Sequence, residues 1–115
     1  MTEKASIITK TEDFLVFIIP ILNNFPKNQK FLLADKIENN LLGILDKLIE
    51  AYYKPKHAKR EILENINIEI EKTRHLIKLS YHLKLIVFKM YEKISFWLNE
   101  IGKMNGAWLK TIAIR

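Results

Sequence analysis

The sequence predicts an all-α protein, an antiparallel up-down bundle of four helices, and three observations carry that expectation. Gly and Pro number only three each in 115 residues, too few for the turns of an all-β chain of this length. Apolar residues recur at steps of three and four along most of the chain. The breaks between these stretches are short, and amphipathic helices joined by short loops bury their stripes best as antiparallel neighbours.

The first helix is predicted over about 11–23. Thr9 or Thr11 can cap it, and Glu12 and Asp13 suit the positive end of the helix dipole. Phe14, Phe17, Ile18, Ile21 and Leu22 fall at helical spacing. Pro20 removes one backbone donor and should kink the helix, and Phe25-Pro26 ends it. The second helix is predicted over about 28–53, with a stripe of Leu33, Ile37, Leu41, Leu45, Leu48 and Tyr52, widened by Leu42 and Ile49. At 1.5 Å per residue it reaches ~39 Å, and Pro55 marks its stop.

The third helix is predicted over about 57–81, on Ile62, Ile66, Ile70 and Ile77 with Leu63 and Leu76 beside them. The fourth runs over about 84–105, where Val87, Met90, Ile94, Trp97, Ile101, Met104 and Trp108 alternate steps of three and four, a heptad seam. Gly106 is the expected C-cap, leaving a short tail over 106–115. No Gly or Pro separates Glu61 from Ile101, so the last two helices could be one long broken helix. Gly43 and Gly102 fall inside helices and are expected to allow close helix approach. Leu32, Ile44, Tyr53, Ile86, Phe88 and Phe96 lie off the main stripes, and this surplus suggests an oligomer interface.

Composition bounds the function. The chain is 49% hydrophobic and 28% charged, an ordinary single globular domain. There is no cysteine, which excludes disulfides, thiolate metal sites and a cysteine nucleophile. The longest apolar run, Phe14 to Leu22, is far short of the ~20 residues that span a bilayer. Acidic residues precede it and no small-residue cleavage site follows. The expectation is a cytoplasmic protein with no membrane partner.

Catalytic constellations are wanting. His75 and His82 share a helix face at a spacing of seven, not the i, i+4 spacing of zinc helices, so no metal is expected. Glu61, Glu64, Glu69 and Glu71 read as a solvated face rather than paired acid–base carboxylates. Ser6, Ser80 and Ser95 sit in no nucleophile elbow, and there is no phosphate-binding Gly-rich loop. No cofactor and no enzymatic activity are expected. An enzyme whose site is shared between chains would show itself by a perturbed His or Glu between subunits.

The charge is the informative feature. Residues 1–53 carry six Lys against seven acidic residues, a net −1, while 54–115 carry thirteen Lys and Arg against six Glu, a net +7. A one-sided positive field draws RNA, DNA or an acidic protein face. Arg74, Lys78 and His82 fall at i, i+4 and i+8 and form one stripe. Lys89 and Lys93 form another, and Lys54, Lys56, His57, Lys59 and Arg60 gather at the turn between the second and third helices. Such contacts are backbone-led and salt dependent, and they read RNA shape more than sequence. Tyr52 and Tyr53, beside that turn, are the aromatics placed to stack on bases; Trp97, Trp108, Phe14 and Phe17 fall on core positions.

The stretch Phe25-Pro26-Lys27, Lys30-Phe31, Leu33 and Lys36-Ile37 has a familiar pattern. So does the ending Tyr91-Glu92, Leu98, Glu100-Ile101-Gly102-Lys103 and Gly106-Ala107-Trp108-Leu109-Lys110. Over about residues 10–111 the chain resembles the accessory variability determinant (Avd) family of diversity-generating retroelements. That family is a branch of the four-helix-bundle proteins related to those encoded in bacterial 23S ribosomal RNA intervening sequences. The resemblance implies a homopentameric barrel with a basic surface. It implies a non-catalytic subunit that binds the retroelement's reverse transcriptase and its RNA during mutagenic copying. On this chain that surface falls to Arg74, Lys78, His82, Lys89 and Lys93, with Lys56, Lys59 and Arg60 next. Ala107 stands where the ending often has a second Gly, and Lys fills positions where Arg would give bidentate phosphate contacts. The alternative is a stand-alone oligomer of the intervening-sequence type with no polymerase partner.

Overall fold

The computed structural model describes the backbone of residues 3–113 and the side chains of 6–112, so the end of the predicted tail lies outside the described residues. These residues form four helices and no strand. α1 is Glu3–Asn23. α2 is the continuous run 27–53, made of an α-helical turn Lys27–Gln29, a π-helical turn Lys30–Ala34 and an α-helix Asp35–Tyr53. α3 is Lys56–His82 and α4 is Phe88–Ala113. Each helix packs on the next in the chain, and α1 closes the ring against α4. The molecule measures 47 × 23 × 22 Å. A helix the length of α3 spans ~40 Å and fits only along the long axis, so the short connections reverse the chain at each end and neighbours run antiparallel.

The buried residues follow a 4,3 repeat more strictly than the apolar letters suggest. In α2 they are Leu33, Ala34, Ile37, Leu41, Ile44, Leu48 and Ala51, with only Leu33, in the π turn, off the repeat; in α3 Lys59, Leu63, Ile66, Ile70, Thr73, Ile77 and Ser80; in α4 Ile94, Leu98, Ile101, Asn105 and Trp108. This is heptad packing. Ile44 and Ala51, rather than Leu45 and Tyr52, therefore point inward on α2, and Leu98 and Asn105 displace Trp97 and Met104 from the centre of α4. Fully burying one Leu, Ile or Phe contributes about 1.5–3 kcal/mol, well above the few tenths that separate most helix propensities. The repeat thus sets which face turns in. Of the surplus apolar residues, Ile44 and Ile86 are core, while Leu32, Tyr53, Phe88 and Phe96 stay exposed.

Polar residues enter the seam without leaving hydroxyls unpaired. Thr11, Thr73 and Ser80 donate to the carbonyls of Ile7, Glu69 and Leu76 at 2.9, 2.9 and 2.8 Å, each four residues back. This is the usual accommodation of Ser and Thr inside helices.

Helix ends differ from the sequence expectation in three places. α1 begins by Glu3, so Thr11 is a mid-helix core residue rather than a cap. Its end at Asn23, with Pro20 inside the helix, is as the sequence predicts. The Val16 carbonyl that loses its donor to Pro20 belongs to an exposed residue, a face where water can replace the bond. α3 ends at His82 because Lys84 adopts φ 63°. Lys84 N–H donates to Tyr81 O and Leu85 N–H to Ser80 O, both at 2.9 Å, the paired bonds of a Schellman ending with Lys in the place usually held by Gly. α4 consequently starts at Phe88, leaving Val87 in the connection. It also runs through Gly106 to Ala113, so Gly106 does not cap it. Gly43 has open space around the position of an added Cβ, so no helix approaches it closely within the bundle; at Gly102 the neighbour is the Arg74 guanidinium.

Candidate nucleic-acid and partner interface

The ring order turns a charge division along the chain into one across the molecule. α3 and α4 are adjacent, so among the described side chains the net +6 of residues 54–112 lies on one side of the bundle and the net −1 of residues 6–53 on the other. The sequence-predicted cations on the positive side fall into three groups, and one of them is inside.

Arg74, Lys78 and His82 lie along α3. Arg74 is half-buried and works between helices: its Nη1 donates to Asn99 Oδ1 of α4, and its Nη2 lies 3.4 Å from where a Cβ on Gly102 would stand. Its Nε is 3.0 Å from Glu71 Oε2, within ion-pair reach, yet no hydrogen bond is aligned on that buried nitrogen. Arg74 therefore forms the floor of a cleft of about 570 Å³ with Asn67, Asn99 and Lys103 on its rim. Lys78 and His82 continue the stripe as exposed side chains.

Lys89 and Lys93 are exposed one turn apart on α4, but on its other flank. Trp97, one turn beyond Lys93, stacks on Phe14 and Phe17 of α1 with centroids 5.5 and 5.8 Å away. That flank thus faces the α4/α1 seam, whereas Arg74 reaches the α3/α4 seam. Lys10 joins the second group, its ammonium 5.1 Å from the Trp97 ring centroid. It was not singled out in the sequence because it sits in the acidic half; its i+4 relation to Phe14, which bears on the same tryptophan, was the available signal.

Lys56 and Arg60 stand at the opposite end, about 27 Å from Lys78 along the axis if measured from Arg60. With His57 and Ile112 they line a hollow of about 440 Å³. The N-terminus of α3 has no side-chain cap and no acidic residue in its first turn, so its dipole adds to the local positive potential. The Arg60–Glu64 pair, 3.5 Å and exposed on both sides, holds Arg60 only weakly. Tyr52 and Tyr53 stand nearby, edge to face at 5.1 Å.

Lys59 parts company with this group. It is only 8% exposed, and its ammonium donates to the carbonyls of Ala51 and Tyr52 and lies 5.7 Å from the Trp108 ring. It closes the end of α2 rather than facing a ligand.

No group of three His, Cys, Asp or Glu among the described residues is placed to hold a metal ion. No described helix is long and apolar enough to cross a membrane. What the surface offers is salt-dependent attraction for a polyanion and apolar patches for a protein. No curated protein and no solved structure matches the chain significantly. The bAvd-like family model, in contrast, matches residues 6–112, nearly the whole bundle, and the chain belongs to that family.

Proposed function

We propose that the protein is a non-catalytic accessory subunit of a diversity-generating retroelement. In this reading it holds the element's reverse transcriptase and structured RNA while the template is copied with mutations. Membership of the bAvd-like family over residues 6–112 supports it. The observation that carries the binding mode is the concentration of the net positive charge on the α3/α4 side. Lys78, His82, Lys89 and Lys93 are exposed basic residues of that side, Lys56 and Arg60 extend it at the α2/α3 turn, and Arg74 holds the two helices in register. RNA bound this way is read by its backbone and shape. The protein acts as a homo-oligomer, a pentamer by family resemblance, and the exposed Leu42, Ile49, Tyr53 and Phe96 supply apolar surface for its subunit contacts.

Co-expression with the reverse transcriptase encoded nearest its gene, followed by a high-salt wash, tests this reading. Retention of the polymerase after the wash is the expected outcome. Release of the polymerase, with RNA alone bound at low salt, would instead favour a stand-alone oligomer of the intervening-sequence type.

A further inference from the structure

One end of the bundle is both apolar and wholly cationic. The antiparallel topology brings together the connections 24–26 and 83–87 with the helix turns beside them. Residues 17–34 and 78–91, which build this end, contain five Lys and neither Asp nor Glu. Six large apolar side chains remain exposed there: Phe31, Leu32, Leu79, Leu83, Val87 and Phe88, with Phe31 and Val87 more than 70% accessible. The π turn of α2 presents the first two; such turns are frequent at functional sites.

The end is also concave. A hollow of about 480 Å³ is lined by Tyr81, His82, Lys84, Ile86, Val87 and Phe88. Tyr81 stacks on Tyr91 at 5.0 Å and leans on Phe88 at 5.7 Å, giving the hollow an aromatic wall. Its floor is fixed by the backbone hydrogen bonds that place Lys84 in its left-handed conformation.

The chemistry selects an occupant. Leu79, Leu83 and Val87 offer no face for base stacking, and burying aliphatic surface rewards an apolar partner rather than a phosphate backbone. A hollow walled by aromatics suits a single anchoring side chain, the usual centre of a protein–protein contact. The lysine rim repels the same end of a second copy and attracts carboxylates. We propose that this end is a protein-docking site for an acidic segment carrying one large apolar side chain. The apolar group enters the hollow against the wall that Tyr81 and Phe88 form together, and the carboxylates meet Lys78, Lys84 and Lys89. The proposal rests on the accessory-subunit reading, under which the segment belongs to the polymerase.

The test uses the full chain and two variants, V87E and the double change V87S with F88S, with helix content and melting temperature as folding controls. V87E lies in the exposed connection and introduces the wrong charge without removing a core group. Binding is measured to the neighbouring reverse transcriptase, to a labelled stem-loop RNA and to phosphatidylserine vesicles. Both variants are expected to lose about tenfold or more in polymerase affinity, while RNA affinity stays within about twofold for the neutral V87S and F88S pair and falls moderately for V87E, whose carboxylate joins the field of Lys78, His82 and Lys89. If the unaltered protein does not hold the polymerase at high salt, the accessory-subunit reading falls and this proposal falls with it. If it does hold it and both variants bind as tightly, the docking end alone is wrong. A loss of RNA or vesicle binding with polymerase affinity intact also overturns the proposal, assigning the end to RNA or to a lipid surface.

Discussion

The ammonium of Lys59 lies 2.6 Å from the carbonyl oxygen of Ala51 and 3.1 Å from that of Tyr52, so a side chain in the first turn of α3 closes the last turn of α2. A cation there satisfies carbonyls left open at a helix C-terminus and sits at the negative end of the dipole.

Replacing Lys59 by Met keeps the apolar stem and removes both bonds. The expected loss is about 2 kcal/mol, a fall in melting temperature of roughly 8 °C for a domain of this size. RNA affinity per folded molecule should stay unchanged. Unchanged melting together with weakened RNA binding would return Lys59 to the ligand face.

Asn105 ties α4 to α3 from within the core. Its amide donates to Leu63 O at 2.9 Å and to Asn67 Oδ1 at 2.8 Å, while its own Oδ1 is buried without a partner. Leu63 O also lies in the middle of α3, where it accepts a backbone bond, so N105L removes an unsatisfied oxygen and strands little. Stability in urea is expected to change by less than ~1 kcal/mol. N105D buries a charge beside a carbonyl and should cost about 3 kcal/mol or more. A loss above ~2 kcal/mol in N105L would mean that the polar link itself holds the helices in register.

Lys84 carries the left-handed conformation that ends α3. A non-glycine residue there costs roughly 1 kcal/mol relative to Gly. K84G is therefore expected to raise stability by about that amount, with K84N intermediate. Calorimetric melting showing K84G less stable than the parent would mean that the lysine side chain makes a compensating contact in solution.

These residues show what the sequence disclosed and what it hid. Four helices, their order and the stops at Asn23 and Tyr53 were legible because the apolar period and the prolines speak locally. The exact seam was not, because Thr11, Thr73, Ser80, Asn105 and Lys59 occupy core positions with polar letters. Their hydrogen bonds, which make burial tolerable, are invisible in a one-dimensional pattern. The α3/α4 break was hidden for a related reason: Lys84 does what Gly usually signals. Of the candidate interface, the charge division was readable in the chain. The split of Arg74 and Lys78 from Lys89 and Lys93 across the two flanks of α4 required knowing which helices are neighbours.

The central claim is that position, not net charge, makes the α3/α4 side the polyanion face. Arg74 is a poor probe of it, because R74E would lose Asn99 and oppose Glu71 and so disturb the bundle. The most direct measurement compares two double reversals of identical charge change: K78E with K93E on the basic side, and K36E with K47E on α2. Affinity for a labelled stem-loop RNA is titrated at several salt concentrations. The first pair should weaken binding by about tenfold or more and flatten the salt dependence, since each lost phosphate contact lowers the slope by roughly one, while the second stays within about threefold. Equal losses from both pairs would show that RNA responds only to total charge, and the assignment of the α3/α4 face would be abandoned.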